Sequence, residues 1–302
     1  MKRKKNMAVT IMLFVMLLLG FAIMLYPIYS DILNRRENEQ ALTIYDRNVN
    51  ALDNTQYKEI LRQAHEYNKR LASLPNGLYY PDPAGDYDNT LKIGGTDIMG
   101  YITIDKIDVH LPIYHGTSDE VLAVGAGHLK GSSMPVGGES THAVITSHRG
   151  LPSARLFTDL DQLVIGDRFT ITVLGETLTY EVDKIEIILP TDWEHFEIVD
   201  GEDLVTLFTC TPYAVNSHRL IIRGHRVKNS HTPGSLVIPA DAVLIDPKKT
   251  ALIIGTTVGV ALFAYWFFGG RTRYFPHSDP KSVVTDGNEE LYRETFTDHI
   301  ED

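Results

Sequence analysis

The chain has 302 residues, of which 43% are hydrophobic and 22% are charged, with a formal net charge of −11 and a single cysteine. This length accommodates one or two domains of ordinary size. A lone cysteine excludes an internal disulfide framework and a cysteine-rich metal site, and the acidic balance argues against a nucleic-acid-binding surface.

The N-terminal part of the sequence combines a basic stretch with a long apolar run. Four basic residues at positions 2–5 precede residues 7–29, which carry no charge. This run exceeds the about 20 residues that a helix needs to cross a membrane. It leaves through Tyr26-Pro27-Ile28-Tyr29, which is typical of an interfacial aromatic belt rather than of a cleavage site. We therefore expect residues 1–6 to be cytoplasmic and residues 7–29 to form an uncleaved transmembrane signal anchor.

Residues 30–98 show a helical pattern followed by a long loop. Apolar side chains recur at intervals of three and four as far as about residue 73, and Asn54-Thr55 is typical of a break with a new N-cap. The loop that begins at Leu74 contains several prolines, glycines and tyrosines. Loops of this length in compact proteins are usually functional or disordered, and the tyrosines disfavour disorder. We expect an extracellular helical extension that ends in a functional loop.

From Met99 onward, apolar residues alternate with polar ones, which is the period of β-strands. The later predicted strands are Phe169–Val173, Leu178–Val182, Ile185–Leu189, Leu204–Thr209 and Leu220–Val227. Gly175-Glu176 is the kind of pair expected in a two-residue hairpin loop. Strands at short intervals with few long helical patterns predict a mainly β domain, a barrel or a sandwich, over residues 99–247.

A second uncharged run, residues 251–270, predicts a C-terminal transmembrane helix, with a buried core helix as the alternative. Arg271 and Arg273 follow it, so positive charge lies beyond the outer end of each apolar run. This distribution places both termini in the cytoplasm and the middle of the chain outside the cell membrane. Residues 271–302 are polar and acidic, and we expect a poorly ordered cytoplasmic tail.

The single cysteine, Cys210, ends a predicted strand, after which the chain turns and returns as a strand beginning near His218. This connectivity brings Cys210 close to Arg219 on the neighbouring strand. A guanidinium there would favour a thiolate or donate hydrogen bonds to an oxyanion. Alternatively, Cys210 is a small buried apolar residue without a chemical role, and the residues alone leave both possibilities open.

A nucleophilic thiol needs an acid or base within reach, and the chain contains twelve histidines. His148 is the most suggestive because it closes an apolar strand and precedes a glycine turn; His142, His218 and His225 compete on position. Ser147 lacks the G-x-S-x-G surroundings of a nucleophilic serine. No histidine pair has metal-ligand spacing, so we expect neither a metal nor a cofactor.

The segment Thr206-Leu207-Phe208-Thr209-Cys210 resembles the TLxTC signature of sortases, the cysteine transpeptidases of Gram-positive surfaces. The resemblance extends to Met99–Ile102, to Thr146–Gly150 around His148, and to Arg219 nine residues after the cysteine. It covers about residues 99–227 and implies an eight-stranded sortase β-barrel with short helices. It also implies three roles: Cys210 attacks the Thr–Gly carbonyl of an LPxTG-like sorting signal to form a thioacyl enzyme, His148 serves as acid and base, and Arg219 holds the substrate and stabilises the oxyanion.

The extension before the barrel and the apolar run after it resemble class C sortases, which polymerise pilins. This likeness implies pilins with LPxTG-like signals and a pilin lysine amine as partners, and a lid with an Asp-Pro-aromatic motif over the site. Asp82-Pro83 matches that motif, but Ala84 stands at the aromatic position, where Tyr80 or Tyr87 is a candidate substitute. The lid aspartate would face the catalytic arginine and restrain activity.

Three alternatives to a pilin polymerase remain, and they differ in their products. A housekeeping-type sortase would attach surface proteins to a peptidoglycan precursor, although the extension and the second apolar run disfavour it. An unrelated cysteine peptidase would release a hydrolysed peptide. A membrane-tethered surface scaffold would form no product, because its cysteine would serve only packing.

Overall fold

The computed structural model describes residues 2–74, 78, 84–229, 255–257 and 259. The predicted lid residues Tyr80, Asp82 and Pro83 lie outside the described residues, as do most of the second apolar run and the tail at residues 271–302.

Two long helices form the N-terminal extension: α1 spans Lys2–Asn50 and α2 spans Asn54–Ala72. Among the described residues, α1 is the one helix long and apolar enough to cross a membrane. The predicted break between the helices is present, but its cap is Asp53, one residue earlier than expected. The Asp53 carboxylate accepts hydrogen bonds from the backbone of Thr55 and Gln56, both at 2.8 Å, and the Gln56 side chain accepts from the Asp53 backbone at 3.0 Å. This reciprocal capping box satisfies amides that a helix start leaves unpaired.

Eight strands within the described residues close into a barrel in the order β1-β2-β3-β4-β7-β8-β6-β5. The β2–β3 and β4–β7 pairs are parallel and the remaining pairs are antiparallel. A short helix, α3 (Asp119–Val124), precedes β3. The prediction of a mainly β, eight-stranded barrel is therefore confirmed. The strands are β1 Ile98–Ile104, β2 Val109–His115, β3 Ala126–His128, β4 Thr141–Thr146, β5 Arg168–Val173, β6 Glu176–Ile188, β7 Asp203–Thr211 and β8 His218–Val227.

The β5–β6 hairpin turns one residue earlier than predicted. Val173 pairs with Glu176, so the two loop residues are Leu174 and Gly175, with φ angles of 51° and 77°. Both central residues of a type I′ turn need a positive φ, which is unusual for leucine. Here the Leu174 side chain is buried and its amide donates to the Tyr45 hydroxyl of α1 at 2.9 Å. A contact from the distant extension thus selects the turn.

Two of the predicted strands, Leu178–Val182 and Ile185–Leu189, are one continuous strand, β6. Its register against β8 shifts between Val182 and Lys184, where Asp183 forms a bulge. The Asp183 carboxylate accepts two hydrogen bonds from Arg223, at 3.0 and 3.1 Å. The polar residue that interrupts the apolar alternation therefore bends the strand without ending it.

Apolar residues form one large core and one small cluster. The large core fills the barrel and includes residues of the extension such as Tyr45, Tyr67 and Leu71. The small cluster consists of Val144, Ile188, Phe196 and Ile221, with Phe208 and Trp193 packed against it. Residues 143 and 145 of β4 belong to the large core, so Val144 faces the opposite side of the strand. The small cluster therefore lies on the outer face of the barrel wall.

Candidate active site

Three neighbouring strands, β4, β7 and β8, bring the predicted catalytic residues together at one end of the barrel wall. Cys210 of β7 is paired with Arg219 of β8, as the strand–turn–strand connectivity predicted. On its other side β7 runs parallel to β4, and the last residues paired there are Thr146 and Phe208. His148 and Cys210 each follow this last pair by two residues. Because the two strands are parallel, both residues lie at the same distance beyond the end of the paired region.

His148, Cys210 and Arg219 line one groove with a volume of about 380 Å³. Both the histidine and the cysteine are half-buried, so the thiol and the imidazole face solvent within a shaped surface. One wall of the groove is apolar and includes residues of the β6–β7 connection. The apolar lining residues are Leu122, Leu129, Ile188, Leu189, Pro190, Trp193, Phe196 and Phe208, and the other polar ones are Thr117, Thr146, Ser147 and Asp192.

The Arg219 guanidinium is held beside the turn that joins β7 to β8. Its Nη1 donates to the backbone carbonyls of Asn216 and His218, at 3.1 and 3.0 Å. These bonds fix a positive charge opposite the half-buried thiol of Cys210. A thiol with a fixed cation and an imidazole in the same groove is suited to nucleophilic acyl transfer.

The competing histidines do not line this groove. His142 is 1% exposed, and its ring lies 2.8 Å from the Glu197 carbonyl and 2.7 Å from the Thr206 hydroxyl. His225 lies 3.6 Å from the Asp183 carboxylate, and His218 bonds to the neighbouring serine hydroxyl. Of the four histidines that sequence position left open, His148 alone shares the groove with Cys210.

The signature residues Thr206, Leu207 and Thr209 are buried and do not react themselves. Thr206 bonds to His142 and Leu207 packs in the large core, whereas Thr209 donates to the Ser147 carbonyl at 2.8 Å. The Ser147 hydroxyl donates to the Gly125 carbonyl at 2.7 Å. This bond and 2% exposure fit a structural role for Ser147 rather than a nucleophilic one.

Tyr87, a candidate for the aromatic position of the lid, is not brought to the groove. Its side chain is 1% exposed, and its hydroxyl lies 3.0 Å from Nδ1 of His128 and accepts from the Gly116 amide at 2.9 Å. The Nζ atom of Lys130 lies 5.0 Å from the centre of its ring. Tyr87 therefore anchors the end of the loop in the barrel wall.

The sequence did not identify several residues that line the groove or pack beside it. Leu78 of the long loop packs against the small apolar cluster, together with Leu129, Trp193 and Phe208. Trp193 and Phe196 lie in the connection from β6 to β7, where no strand or helix pattern drew attention to them. Two large aromatic residues within a connection rich in acidic residues were the signal that could have identified this wall.

Comparison with known proteins agrees with this geometry. The family model described as Sortase domain matches residues 102–227. The solved structure of sortase C1 from Streptococcus agalactiae is 47% identical, and the match covers 63% of this chain and 99% of that chain at a TM-score of 0.58. The chain belongs to the sortase family. The prediction of family membership is therefore confirmed, and with it the expectation of a fold shared with the cysteine transpeptidases.

This sortase covers different shares of the length of its other relatives. Sortase C of Streptococcus pneumoniae is 43% identical, with 62% of this chain and 96% of that chain covered at a TM-score of 0.56. Sortase A of Streptococcus agalactiae is 32% identical over 120 residues, which are 38% of this chain and 47% of that protein. This sortase thus spans about half the length of that relative, but nearly all of the sortase C chains.

Proposed function

We propose that the chain is a class C sortase, a cysteine transpeptidase that joins pilins through their sorting signals. The observation that carries this proposal is the single groove shared by Cys210, His148 and Arg219. The likeness to solved class C sortases supports it. Pilin substrate specificity is described for the pneumococcal sortase C, and a pilus island for sortase C1 of GBS.

In the proposed reaction, the Cys210 thiolate attacks the Thr–Gly carbonyl of an LPxTG-like signal. The guanidinium of Arg219 stabilises the oxyanion, and the C–N bond breaks as His148 gives a proton to the leaving glycine amine. A lysine amine of the next pilin then loses a proton to His148 and attacks the thioester. An amide bond forms, and the Cys210 thiolate is released. The reaction needs no metal or cofactor.

The apolar wall of the groove suits the leucine and proline of such a signal. Phe208 lies two residues before the nucleophile, on the same face of β7, and Trp193 and Phe196 pack close to it. Side chains of this kind bind small apolar residues by burying their surface, whereas the polar groups of the groove orient the scissile bond.

We place the barrel, residues 99–247, outside the cell membrane, with residues 7–29 and 251–270 as membrane helices and both termini in the cytoplasm. The apolar, exposed side chains along the first part of α1 support the first of these helices. Residues 30–98 would then be an extracellular extension.

The loop of this extension would act as a lid through Tyr80, Asp82 and Pro83, as the packing of Leu78 beside the groove supports. A lid is described for sortase C1 of Streptococcus agalactiae.

The test uses the full chain in detergent micelles with an LPxTG-type peptide and a lysine-containing pilin peptide. We expect an amide-linked product that disappears in Cys210→Ala and falls at least about tenfold in Arg219→Lys, because the lysine cannot reproduce the guanidinium fork. Thr172→Val, a buried change on β5 away from the groove, is the control.

The products separate the alternatives to a pilin polymerase. Transfer to a peptidoglycan-type amine, but not to the pilin lysine, would indicate a housekeeping-type sortase. Hydrolysis without transfer would indicate a cysteine peptidase. No turnover with any signal, together with intact surface assembly in Cys210→Ala, would support a scaffold.

A further inference from the structure

The backbone pairing of β4 and β7 ends just before the reactive residues, and side chains continue it. The last backbone pair is Thr146 with Phe208. There the Thr146 hydroxyl donates to the Phe208 carbonyl at 3.0 Å, and one residue later the Thr209 hydroxyl donates to the Ser147 carbonyl at 2.8 Å. The two bonds run in opposite directions between the strands and come immediately before His148 and Cys210.

The second of these bonds is enclosed in the barrel. Thr209 is 1% exposed and Ser147 is 2% exposed. Ser147 is itself held, because its hydroxyl donates to the Gly125 carbonyl at 2.7 Å. Removing the Thr209 hydroxyl would leave a buried carbonyl unpaired on the residue that precedes His148, which is costly in a protein interior. The local strands would move to recover a partner.

A second link lies immediately after the reactive residues. Nη1 of Arg149 donates to the Thr211 hydroxyl at 3.0 Å, and the same guanidinium bonds to the Asp161 carboxylate. The Arg149 side chain is 9% exposed, so its position is set by these partners rather than by solvent. Arg149 follows His148 directly, just as Thr211 follows Cys210.

We propose that the Thr209–Ser147 and Arg149–Thr211 links form a bracket that fixes the separation of the Cys210 thiol and the His148 ring. Thr209 and Arg149 are then positioning residues, because each acts through a neighbour in the chain. This inference rests on the proposed function only where it takes Cys210 as nucleophile and His148 as its acid and base. A displacement of 1 Å between reacting groups costs about a hundredfold in rate, so small changes in the bracket are measurable.

The experiment compares Thr209→Val with Thr209→Ser in the full chain in detergent micelles. Valine removes the hydroxyl at nearly constant volume, whereas serine keeps it. For Thr209→Val we expect kcat for peptide cleavage to fall at least about tenfold while KM changes less than about twofold, with recovery of most of kcat in Thr209→Ser. Thr172→Val is the control, since it makes the same change at a buried threonine of β5 away from the groove, whose hydroxyl bonds at 3.0 Å to the exposed Thr177.

Two further measurements keep the bracket testable. Because Cys210 is the single cysteine of the chain, its alkylation by iodoacetamide reports the thiol without any substrate. We expect alkylation at neutral pH to slow in Thr209→Val and not in Thr172→Val. If Thr209→Val does not fold, Thr211→Val breaks the second link and should lower kcat in the same way.

The outcomes separate this inference from the proposed function. If Thr209→Val and Thr211→Val both keep the wild-type kcat and the wild-type rate of Cys210 alkylation, the bracket is overturned. A parallel loss in Thr172→Val would also overturn it, because the effect would then reflect general destabilisation. A wild-type chain that alkylates normally but cleaves no sorting signal would contradict the proposed function, while the alkylation rates would still test the bracket.

Discussion

His142 lies near the start of β4 and His148 lies two residues beyond its end, and the environments of the two rings differ. The ring of His142 is enclosed; Nδ1 donates to the Glu197 carbonyl at 2.8 Å, which leaves Nε2 to accept from the Thr206 hydroxyl at 2.7 Å. Burial lowers the pKa of His142 to about 4, and burial has the same effect on His128, whose pKa is also about 4. Both rings are therefore neutral structural groups at neutral pH, whereas His148 faces the groove.

This burial predicts how stability depends on pH. Between pH of about 6.5 and about 4 the unfolded chain binds protons at His142 and His128 that the folded chain does not, so the free energy of unfolding falls as the pH falls. Each unit of pKa difference is worth about 1.4 kcal/mol per ring. Urea unfolding at several pH values in this range measures the slope of the free energy of unfolding against pH. We expect His142→Gln to flatten it, and His65→Gln, on the exposed surface, to leave it unchanged; equal slopes in all three proteins would contradict the prediction.

At the scale of the elements, the features that depend on local pattern were predictable. The alternation of apolar residues marks β5 to β8, and the short turn after Cys210 makes the pairing with Arg219 a consequence of chain geometry. The TLxTC resemblance then supplies chemical roles that alternation cannot. Burial separates His142 from His148, and no local pattern reports it. Phe196 packs beside Val144 of β4 and the Glu197 carbonyl bonds to the His142 ring, whereas His148 lies beyond the end of the strand.

Features set by distant contacts were not predictable from pattern. The turn at Leu174 depends on the hydroxyl of Tyr45, 129 residues earlier in the chain. β3 has only three residues, all buried, so it shows no alternation. Part of the apolar wall of the groove comes from the β6–β7 connection, where Trp193 precedes a single turn of 3-10 helix, Glu194–Phe196. In each case tertiary packing decides between conformations that the local sequence leaves nearly equal.

The packing of Leu78 against the small apolar cluster predicts a measurable effect on the thiol. Leu78 is half-buried against the small apolar cluster, whereas Leu74, four residues earlier, is 39% exposed. Truncation to alanine removes about 1 kcal/mol of packing; if the loop acts as the proposed lid, this shifts it about fivefold toward states that uncover the groove. Alkylation of Cys210 should therefore accelerate about fivefold in Leu78→Ala and remain unchanged in Leu74→Ala. Equal rates in wild type and Leu78→Ala would show that the loop does not limit access.

At the scale of the whole molecule, the extension and the barrel share one core. The Asp31 carboxylate accepts from the Arg155 amide at 2.9 Å, and Arg35 pairs with Asp108 at 2.6 Å, so α1 contacts the barrel directly after its apolar part. Further along the helix, Tyr45 is fully buried. If residues 7–29 span the membrane as proposed, a continuous helix holds this side of the barrel close to the membrane surface.

The shared core predicts that the extension stabilises the barrel. The Tyr45 hydroxyl donates to the Met99 carbonyl at 3.0 Å and accepts from the Leu174 amide at 2.9 Å, both in the interior. Tyr45→Phe leaves these backbone groups unpaired and should lower the free energy of unfolding by about 1–3 kcal/mol.

The control is Tyr57→Phe, which removes a half-exposed hydroxyl that bonds to Glu176 and should cost less than about 0.5 kcal/mol. Urea unfolding followed by tryptophan fluorescence reports the barrel through Trp193, which lines the groove, when Trp266, the second tryptophan of the chain, is replaced by Phe in every variant. An unchanged barrel transition in Tyr45→Phe would mean that the extension is an independent module; a shifted one means that α1 and the barrel unfold together.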